Sequence, residues 1–437
     1  MASPQDTDRR LEALGISPGD EVKVETEGRT FGGILLPHHD FSEPGIVTIK
    51  LPSGYNIGVK LHASSRVALV RKSPHGMKGG QGTRHKARRG AGSLEKVAFA
   101  GTGGTIASFV DYRTGGVFPA MDAAGIVSLV PEISDICRLE GKTLFSVFSE
   151  NIGSEEWSVL AGEVADRLNE GYSGVLISHG TDTMSYTAAA LSFMLSNLTG
   201  TVVLVGAQRS PDRPSFDGYV NLISAARVAS QSDIGEVTVV MHASSSDRGC
   251  HVHRGTKVRK MHSSRRDAFR SINSDPIAFV DDEIHYLSEY RRRSSGKVSV
   301  DTRMEDDVAL IQFYPDMKHE DFLAWTRGKK GVVLAGTGLG HASTGIVDAV
   351  RRRVDGGVPV VVTTQCLNGS VDMNVYATGR DLIRGGAISG GDMLPETAYV
   401  KLRHVLAHSS GMEEVRRAMQ KNLAGELNDR RRGGDGF

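Results

Sequence analysis

Two turns in the sequence carry hydroxyl groups and directly follow apolar runs typical of buried strands. The first, Gly101-Thr-Gly-Gly-Thr105-Ile-Ala, follows Val97-Ala-Phe-Ala, and the second, His179-Gly-Thr181-Asp182, follows Val175-Leu-Ile-Ser. Glycines allow a backbone to turn tightly and to approach a ligand. A hydroxyl beside a carboxylate can act as a nucleophile or orient one. The residue types therefore predict a site for nucleophilic chemistry.

Each turn has a plainer interpretation when it is taken alone. The first could be a phosphate-binding loop, but it lacks the Gly-Lys-Ser/Thr ending of such loops. In the second, Thr181 or Asp182 could simply cap the helix that follows. The two turns must lie at one edge of a common sheet for the chemical interpretation to hold.

The surrounding pattern predicts such a sheet. From Lys96 onward, continuous apolar strands alternate with helical stretches such as Ser154 to Leu168 and Thr183 to Leu198. This alternation favours a parallel sheet covered on both faces, whose ligands bind beyond the carboxyl ends of the strands. A second α/β unit begins near Val308. The predicted fold class is α/β, with two domains built on parallel sheets.

The first 70 or so residues differ from the rest. Short alternating runs between Ser17 and Val70, separated by Gly and Pro, predict a small antiparallel β-barrel. A basic, glycine-rich stretch follows at 73–93 and favours a flexible linker. The alternative is an arm that contacts RNA phosphates. Its cations would be Lys78, Arg84, Lys86, Arg88 and Arg89.

These patterns divide the chain into six segments. They are a barrel-like domain over 1–72, a basic linker over 73–93, a first α/β domain with the active site over 94–283, an interdomain linker over 284–305, a second α/β domain over 306–425 and a tail over 426–437.

Composition limits the function classes. A net charge of +1 argues against a polyanion-binding protein overall. The three cysteines have no zinc spacing, and His242, His251, His253 and His262 are interpreted as solvated loop residues, so no metal site is expected. The polar N-terminus does not resemble a signal peptide, and no apolar run is long enough to span a bilayer. We expect a cytoplasmic protein that is not bound to a membrane.

Taken together, the motifs resemble the L-asparaginase family over about Val97 to His408. Besides the two turns, the resemblance rests on five further motifs in the family's order. They are Leu204-Val-Gly-Ala207-Gln-Arg, Arg254-Gly-Thr-Lys-Val-Arg-Lys260 continued to Asp267-Ala-Phe, Thr364-Gln-Cys-Leu-Asn-Gly, Tyr376-Ala-Thr-Gly and Gly391-Asp-Met-Leu-Pro-Glu396.

The resemblance implies a catalytic set. Thr105 would be a nucleophilic hydroxyl, and Thr181, Asp182 and Lys260 would form a second hydroxyl–carboxylate–ammonium group. Which threonine attacks first stays open, as does what replaces a tyrosine that the family carries after the first threonine. The best-matching position here is near Val117, and Tyr112 lies shortly before it. Lys257 is the neighbouring alternative to Lys260.

The resemblance also implies substrate contacts. Ser149 and Glu150, after a strand predicted at Leu144 to Phe148, would hold the α-amino and α-carboxylate groups. Backbone N–H groups near Thr181 and Ala207 would stabilise the oxyanion. Glu396 would contact the substrate of a second copy of the chain, because family members form at least a homodimer.

A simple asparaginase does not need the residues that precede Val97 here. With this N-terminal extension, the chain resembles the glutaminase subunits of archaeal glutamyl-tRNA(Gln) amidotransferases. This implies glutamine as the substrate, a partner (the E subunit of the amidotransferase) that holds ATP and Mg²⁺, no cofactor in this chain, and contact with tRNA through the partner or the basic arm. The alternatives are a stand-alone cytoplasmic L-asparaginase and a non-enzymatic RNA-binding scaffold on a degenerate core. The choice between glutamine and asparagine stays open, because one methylene changes binding by only about 1–3 kcal/mol.

Overall fold

The computed structural model describes residues 4–36, 45–51, 56–72, 94–104, 106, 108–110, 117–119, 122–211 and 216–430. Three sequence-based assignments lie outside these residues: the basic linker at 73–93 with its five candidate cations, the catalytic candidate Thr105, and Tyr112.

The N-terminal unit is a five-stranded antiparallel sheet preceded by a helix that the sequence did not predict. Its elements are α1 (Pro4–Ala13), β1 (Glu21–Thr26), β2 (Arg29–Leu35), β3 (Ile46–Lys50), β4 (Asn56–Lys60) and β5 (Arg66–Arg71). The strand order is β4-β3-β2-β1-β5. Alternate residues such as Val22 and Val24 are fully buried under Leu11 and Ile16. The pairings of the described residues do not include one between β4 and β5 that would close a barrel.

The first α/β domain follows. Its strands are β6 (Lys96–Gly101), β7 (Ser108–Val110), β8 (Val117–Pro119), β9 (Arg138–Thr143), β10 (Gly174–Ser178), β11 (Leu195–Ser196), β12 (Thr201–Val205), β13 (Val237–His242), β14 (Cys250–Arg254), β15 (Val258–Lys260), β16 (Phe269–Ser271), β17 (Ala278–Val280), β18 (Ile284–Tyr286) and β19 (Ser299–Val300). Its helices are α2 (Ala123–Leu129), α3 (Ile133–Ile136), α4 (Ser154–Asn169), α5 (Met184–Met194) and α6 (Gly218–Gln231).

Eight of these strands form one sheet in the order β18-β17-β14-β13-β12-β10-β6-β9. The pairings from β9 to β13 are parallel. Strands β10 and β12 are buried along their whole length because helices cover both faces. Val175 and Ile177 pack with α4 and α5, whereas Leu176 packs with α6 on the opposite face. The predicted parallel sheet is confirmed.

The second α/β domain contains β20 (Val308–Gln312), α7 (His319–Trp325), β21 (Gly331–Gly336), α8 (Thr344–Asp355), β22 (Val360–Thr364), α9 (Ala377–Arg384), β23 (Ile388–Ser389), α10 (Pro395–His408) and α11 (Met412–Gln420). Its four strands are parallel, in the order β20-β21-β22-β23. Helix α10 packs against α5 of the first domain and thereby joins the two.

Three local predictions were wrong. The strand expected at Leu144 to Phe148 is a loop. Leu144 N–H donates to the carbonyl of Gly101, at the end of β6, and Val147 N–H donates to that of Thr102, so the segment does not pair regularly with a neighbouring strand. The helix expected to reach Leu198 ends at Met194, where β11 begins and pairs with β19. His242 and His253 are fully buried in β13 and β14 rather than solvated in loops. The described residues contain no helix with the length and apolar content to cross a membrane.

A buried ion pair fixes the C-terminal segment after α11. Lys401 Nζ lies 2.6 Å from Glu426 Oε1, and both side chains are fully buried. The same ammonium donates to the carbonyl oxygens of Met419 and Lys421. The Glu426 carboxylate accepts from the N–H groups of Leu423 and Ala424. The segment is thus folded around two buried charges that satisfy each other.

We predict that Lys401→Met destabilises the protein by about 3–5 kcal/mol, because it leaves the Glu426 carboxylate buried without its cation. Urea unfolding measures the free energy. The control is Lys330→Met, which removes a lysine from an exposed pair with Glu305 and should change stability too little to measure. Similar small effects for both variants would contradict this account of the segment.

Candidate active site

The carboxyl ends of three parallel strands bring the two hydroxyl-bearing turns together. Strand β10 lies between β6 and β12, so the segments that follow all three strands meet at one edge. Thr102 Oγ1 donates to the carbonyl of Ser178 at 2.8 Å, and His179 N–H donates to the carbonyl of Val205 at 2.9 Å. The turns predicted from the sequence are therefore neighbours in the fold.

Two glycines allow the turns to touch. A Cβ atom on Gly104, whose φ is +85°, would lie 2.5 Å from the backbone nitrogen of Gly180. A Cβ atom on Gly180 would lie 2.7 Å from Cβ of Ser149. Both distances are shorter than real carbon contacts, so only glycine permits this approach. The residue that follows Gly104 is Thr105, which the structure does not describe.

Lys260 joins this edge from a separate hairpin. It ends β15, which pairs antiparallel with β16. Its Nζ donates to Thr181 Oγ1 and to Asp182 Oδ1, each at 2.8 Å. Thr181 is buried and the Lys260 side chain is 12% exposed, whereas the Asp182 side chain is 72% exposed. A hydroxyl, an ammonium and a carboxylate open to solvent thus form one cluster.

Lys257, the neighbouring alternative, lies elsewhere. Its fully buried ammonium is 2.6 Å from Asp392 Oδ2 of the second domain. The geometry therefore favours Lys260 as the lysine that acts on a threonine.

A buried network fixes the backbone next to Thr181. His179 Nδ1 lies 2.7 Å from the carbonyl oxygen of Gly180 and must donate to it, so Nε2 accepts from Thr187 Oγ1 at 2.9 Å. Trp157 Nε1 donates to the same hydroxyl at 3.0 Å. Burial lowers the pKa of His179 to about 4, which keeps the imidazole neutral, as this pattern requires.

Two buried side chains from α6 and the residue before it fix the backbone of the turn after β12. Asp217 is fully buried, and its carboxylate accepts from the backbone N–H groups of Gln208 and Arg209, each at 2.9 Å. Asn221 Nδ2 donates to the carbonyl of Gly206 at 2.9 Å. Ala207, the candidate oxyanion contact, is buried within this fixed turn.

Ser149 and Glu150 begin a 3-10 turn beside the cluster. The carbonyl of Ser149 accepts from Thr183 Oγ1 at 2.5 Å, one residue beyond Asp182. Ser149 is buried and Glu150 is exposed. The structure thus brings Ser149 to the catalytic candidates and leaves Glu150 open to solvent next to them.

Among the described contacts, Glu396 pairs with Arg259 and not with Thr181, Asp182 or Lys260. It is 5% exposed in the first turn of α10, and its Oε1 is 3.3 Å from Arg259 Nε in the same chain. Burial raises the pKa of the Glu396 carboxyl, and Arg259 opposes that effect. Within this chain, the Glu396 carboxylate pairs with Arg259, whereas the resemblance assigns this carboxylate to contact with a substrate.

The supporting residues left only partial signals in the sequence. His179 stood within the motif that was singled out, but its neutral role depends on Thr187 and Trp157 in two other elements. Asp217 and Asn221 carried no signal, because neither stands in a motif. Among the described residues, no group of three or more His, Cys, Asp or Glu side chains could hold a metal ion.

Comparison with known proteins agrees with this architecture. The profile of the asparaginase N-terminal domain matches residues 96–292, that of the glutaminase/asparaginase C-terminal domain matches 307–419, and that of the GatD N-terminal domain matches 16–70. The D subunit of the glutamyl-tRNA(Gln) amidotransferase of Pyrococcus furiosus is 49% identical over 95% of this chain and 96% of its own length. The corresponding D subunit of Thermococcus kodakarensis is 50% identical over 96% of each chain. This chain belongs to that family of D subunits.

Solved structures of the family's asparaginase core are also similar. The thermostable L-asparaginase of Thermococcus kodakarensis superimposes with a TM-score of 0.70 and 32% identity over 77% of this chain and 100% of its own. L-asparaginase I of Vibrio cholerae gives 0.68 and 30% over the same shares. The asparaginase-like fold predicted from the sequence is confirmed.

We predict that Gly104→Ala destabilises the protein by about 1–3 kcal/mol, because it forces a side chain into left-handed backbone and against Gly180. The matched control is Gly162→Ala in α4, where a Cβ atom meets nothing within 4 Å. That substitution should stabilise the protein by about 0.5–1 kcal/mol. Urea unfolding of both variants checks the signs. A neutral Gly104→Ala would show that the turns do not touch as described.

Proposed function

We propose that this chain is a glutaminase subunit, which releases ammonia from glutamine for the conversion of Glu-tRNA(Gln) to Gln-tRNA(Gln). The observation that carries the proposal is the Lys260 ammonium, 2.8 Å from both Thr181 Oγ1 and Asp182 Oδ1. Near full-length identity to proteins named as amidotransferase D subunits supports the same interpretation.

The cluster suits covalent hydrolysis of an amide. Lys260 first gives a proton to Asp182, whose carboxylate is open to solvent. A threonine oxygen, from Thr105 or Thr181, then attacks the carboxamide carbon and passes its proton to the neutral Lys260 amine. The carbon–nitrogen bond then breaks, and the nitrogen leaves as ammonia after taking that proton. Water attacks the resulting ester, which releases glutamate and restores the hydroxyl. Asp182 stabilises the cationic form of Lys260 between these transfers.

The remaining candidates hold the substrate in this proposal. Backbone N–H groups near Thr181 and Ala207 stabilise the oxyanion, and the fixed turn behind Ala207 favours that role because its donors do not reorganise. Ser149 and Glu150 contact the α-amino and α-carboxylate groups. Glu396 is assigned to the substrate of a second copy of the chain, in a homodimer, where it would have to leave Arg259.

The N-terminal unit distinguishes a component of a complex from a stand-alone asparaginase. The two L-asparaginase structures match 77% of this chain along their whole length. The D subunits instead match along 95–96% of it, including the N-terminal sheet. An asparaginase core alone does not account for that sheet, so we assign the chain to a complex rather than to free amide hydrolysis.

The further partners are part of the same proposal. The E subunit of the amidotransferase, as the partner, binds ATP and Mg²⁺ and acts on glutamate attached to tRNA, while this chain needs no cofactor of its own. Contact with tRNA occurs through the partner or through the basic segment at 73–93. The complex works in the cytoplasm.

We predict that Thr105→Val, Thr181→Val, Asp182→Asn and Lys260→Met each lower the rate of glutamine hydrolysis by about 10²–10⁴-fold. The groups act as one unit, so the losses should not add when variants are combined. Ammonia release measures the rate, and circular dichroism checks the fold. Thr26→Val and Lys330→Met, which remove the same groups far from the cluster, should retain normal turnover. Near-normal turnover of Lys260→Met would rule out its role in proton transfer.

A second prediction separates the amidotransferase component from the stand-alone enzyme. Released ammonia is lost to water, so a glutaminase that feeds a second reaction gains from acting only with its partner. We expect slow hydrolysis by the isolated chain and a rise of about tenfold or more with the E subunit and glutamylated tRNA(Gln), which corresponds to about 1.4 kcal/mol of coupling. Assays with glutamine and with asparagine, with and without these additions, measure it. High rates on asparagine that are indifferent to the additions would instead identify a stand-alone asparaginase.

A further inference from the structure

The strand that ends in Lys260 has two chemically different faces. Side chains alternate along a strand, so Val258 and Lys260 share one side of β15 and Arg259 lies on the other. Lys257 lies in the bend just before the strand. Val258 is buried in the core that contains α5, and Lys260 reaches Thr181 shortly before that helix. Lys257 and Arg259 instead contact carboxylates of the second domain. The strand is therefore held between the cluster and the other domain.

The stronger of the two contacts is a buried ion pair. Lys257 is fully buried, and its Nζ lies 2.6 Å from Asp392 Oδ2 and 3.5 Å from the carbonyl oxygen of Asp392. The Asp392 side chain is 12% exposed. A buried pair of this kind tolerates little displacement, because separation would leave the Lys257 ammonium buried without its counter-ion.

Further hydrogen bonds hold Asp392 in place. Its Oδ2 accepts from Asn428 Nδ2 at 2.7 Å, and its Oδ1 accepts from Asn428 N–H at 3.1 Å. Its carbonyl accepts from Asn273 Nδ2 at 2.9 Å. Both carboxylate oxygens of Asp392 therefore accept hydrogen bonds. Asn273 of the first domain and Asn428 of the C-terminal segment thus fix the residue that pairs with Lys257.

The second contact comes from the same short stretch of chain. Glu396 follows Asp392 by four residues, at the start of α10, and pairs with Arg259 at 3.3 Å. Helix α10 also packs on α5, which begins two residues after Asp182. One element of the second domain therefore contacts both the strand that carries the ammonium and the helix next to the hydroxyl.

We propose that Lys257 and Asp392 are positioning residues that set where the Lys260 ammonium stands relative to Thr181. The proposal rests on the glutaminase function proposed above. It makes the second domain part of the catalytic apparatus, although none of its residues touches Thr181, Asp182 or Lys260 within the described contacts. Because Lys260 follows Lys257 by three residues, a shift of the buried pair moves the ammonium off the hydroxyl.

The test compares Lys257→Met and the wild type as full-length chains. We expect kcat for glutamine hydrolysis to fall by about 10–100-fold, since a misplacement of about 1 Å costs this much. KM should change less than about threefold, because the substrate contacts remain. Crystal structures of both proteins supply a readout that does not need activity: the distance from Lys260 Nζ to Thr181 Oγ1, expected to lengthen beyond hydrogen-bonding range.

The matched control is Arg353→Met. Arg353 is a half-buried cation of the second domain, in α8, and it hydrogen-bonds Thr326 Oγ1 and the carbonyl of Leu323, away from the hairpin and from the network beside Thr181. This variant should lose stability but keep kcat and the Lys260–Thr181 distance. If Lys257→Met does not fold, Asp392→Asn weakens the same pair with almost no change in volume and should show a smaller fall in kcat.

The outcomes separate this proposal from the one it rests on. A wild type that hydrolyses neither glutamine nor asparagine, even with the E subunit and glutamylated tRNA(Gln) present, would overturn the glutaminase assignment, while the distance would still decide the positioning role. An unchanged distance together with unchanged kcat in a folded Lys257→Met or Asp392→Asn variant would overturn the positioning role alone. Equal losses of kcat in Arg353→Met would overturn it as well, because they would show a general effect of a destabilised second domain.

Discussion

The proposed chemistry depends on one interaction: the ammonium of Lys260 lies between the hydroxyl of Thr181 and the carboxylate of Asp182. Its two sides come from distant parts of the chain: Thr181 and Asp182 follow β10, whereas Lys260 ends β15, 79 and 78 residues later respectively. Neither side can be placed by local structure alone. The sheet, the contacts of Gly104 and Gly180, and the contacts of the second domain hold these groups within hydrogen-bonding distance of each other.

Much of this arrangement could be predicted from the sequence, because its strongest signals are local. A continuous apolar strand such as Val175–Ile177 must be buried on both faces, which predicts a parallel sheet covered by helices. Glycines directly after such strands indicate close backbone approach at their carboxyl ends. Those two rules put the hydroxyl-bearing turns at one edge. The assignment of Lys260 rather than Lys257 needed the resemblance to asparaginases, since both lysines stand in the same short motif.

The parts that the sequence did not reveal depend on pairings between distant residues. Lys257 and Asp392 are 135 residues apart, and nothing in the pattern around either residue names the other. Glu396 likewise has the pattern of an exposed acid at a helix start, yet the packing of α10 buries it against Arg259. The polar neighbours of His253 favour a loop residue, whereas the antiparallel extension of the sheet makes it a buried strand residue. Periodicity predicts elements, but not which charged groups meet when the elements pack.

The most direct test of the central claim is covalent labelling with a diazoketone analogue of glutamine, followed by peptide mapping with mass spectrometry. Such an analogue alkylates the nucleophile of a glutaminase that it occupies. We predict one label per chain, on Thr105 or Thr181, and little or none in Lys260→Met, because that variant cannot take the proton from the attacking hydroxyl. Labelling that misses both threonines, or that proceeds equally well in Lys260→Met, would contradict the claim.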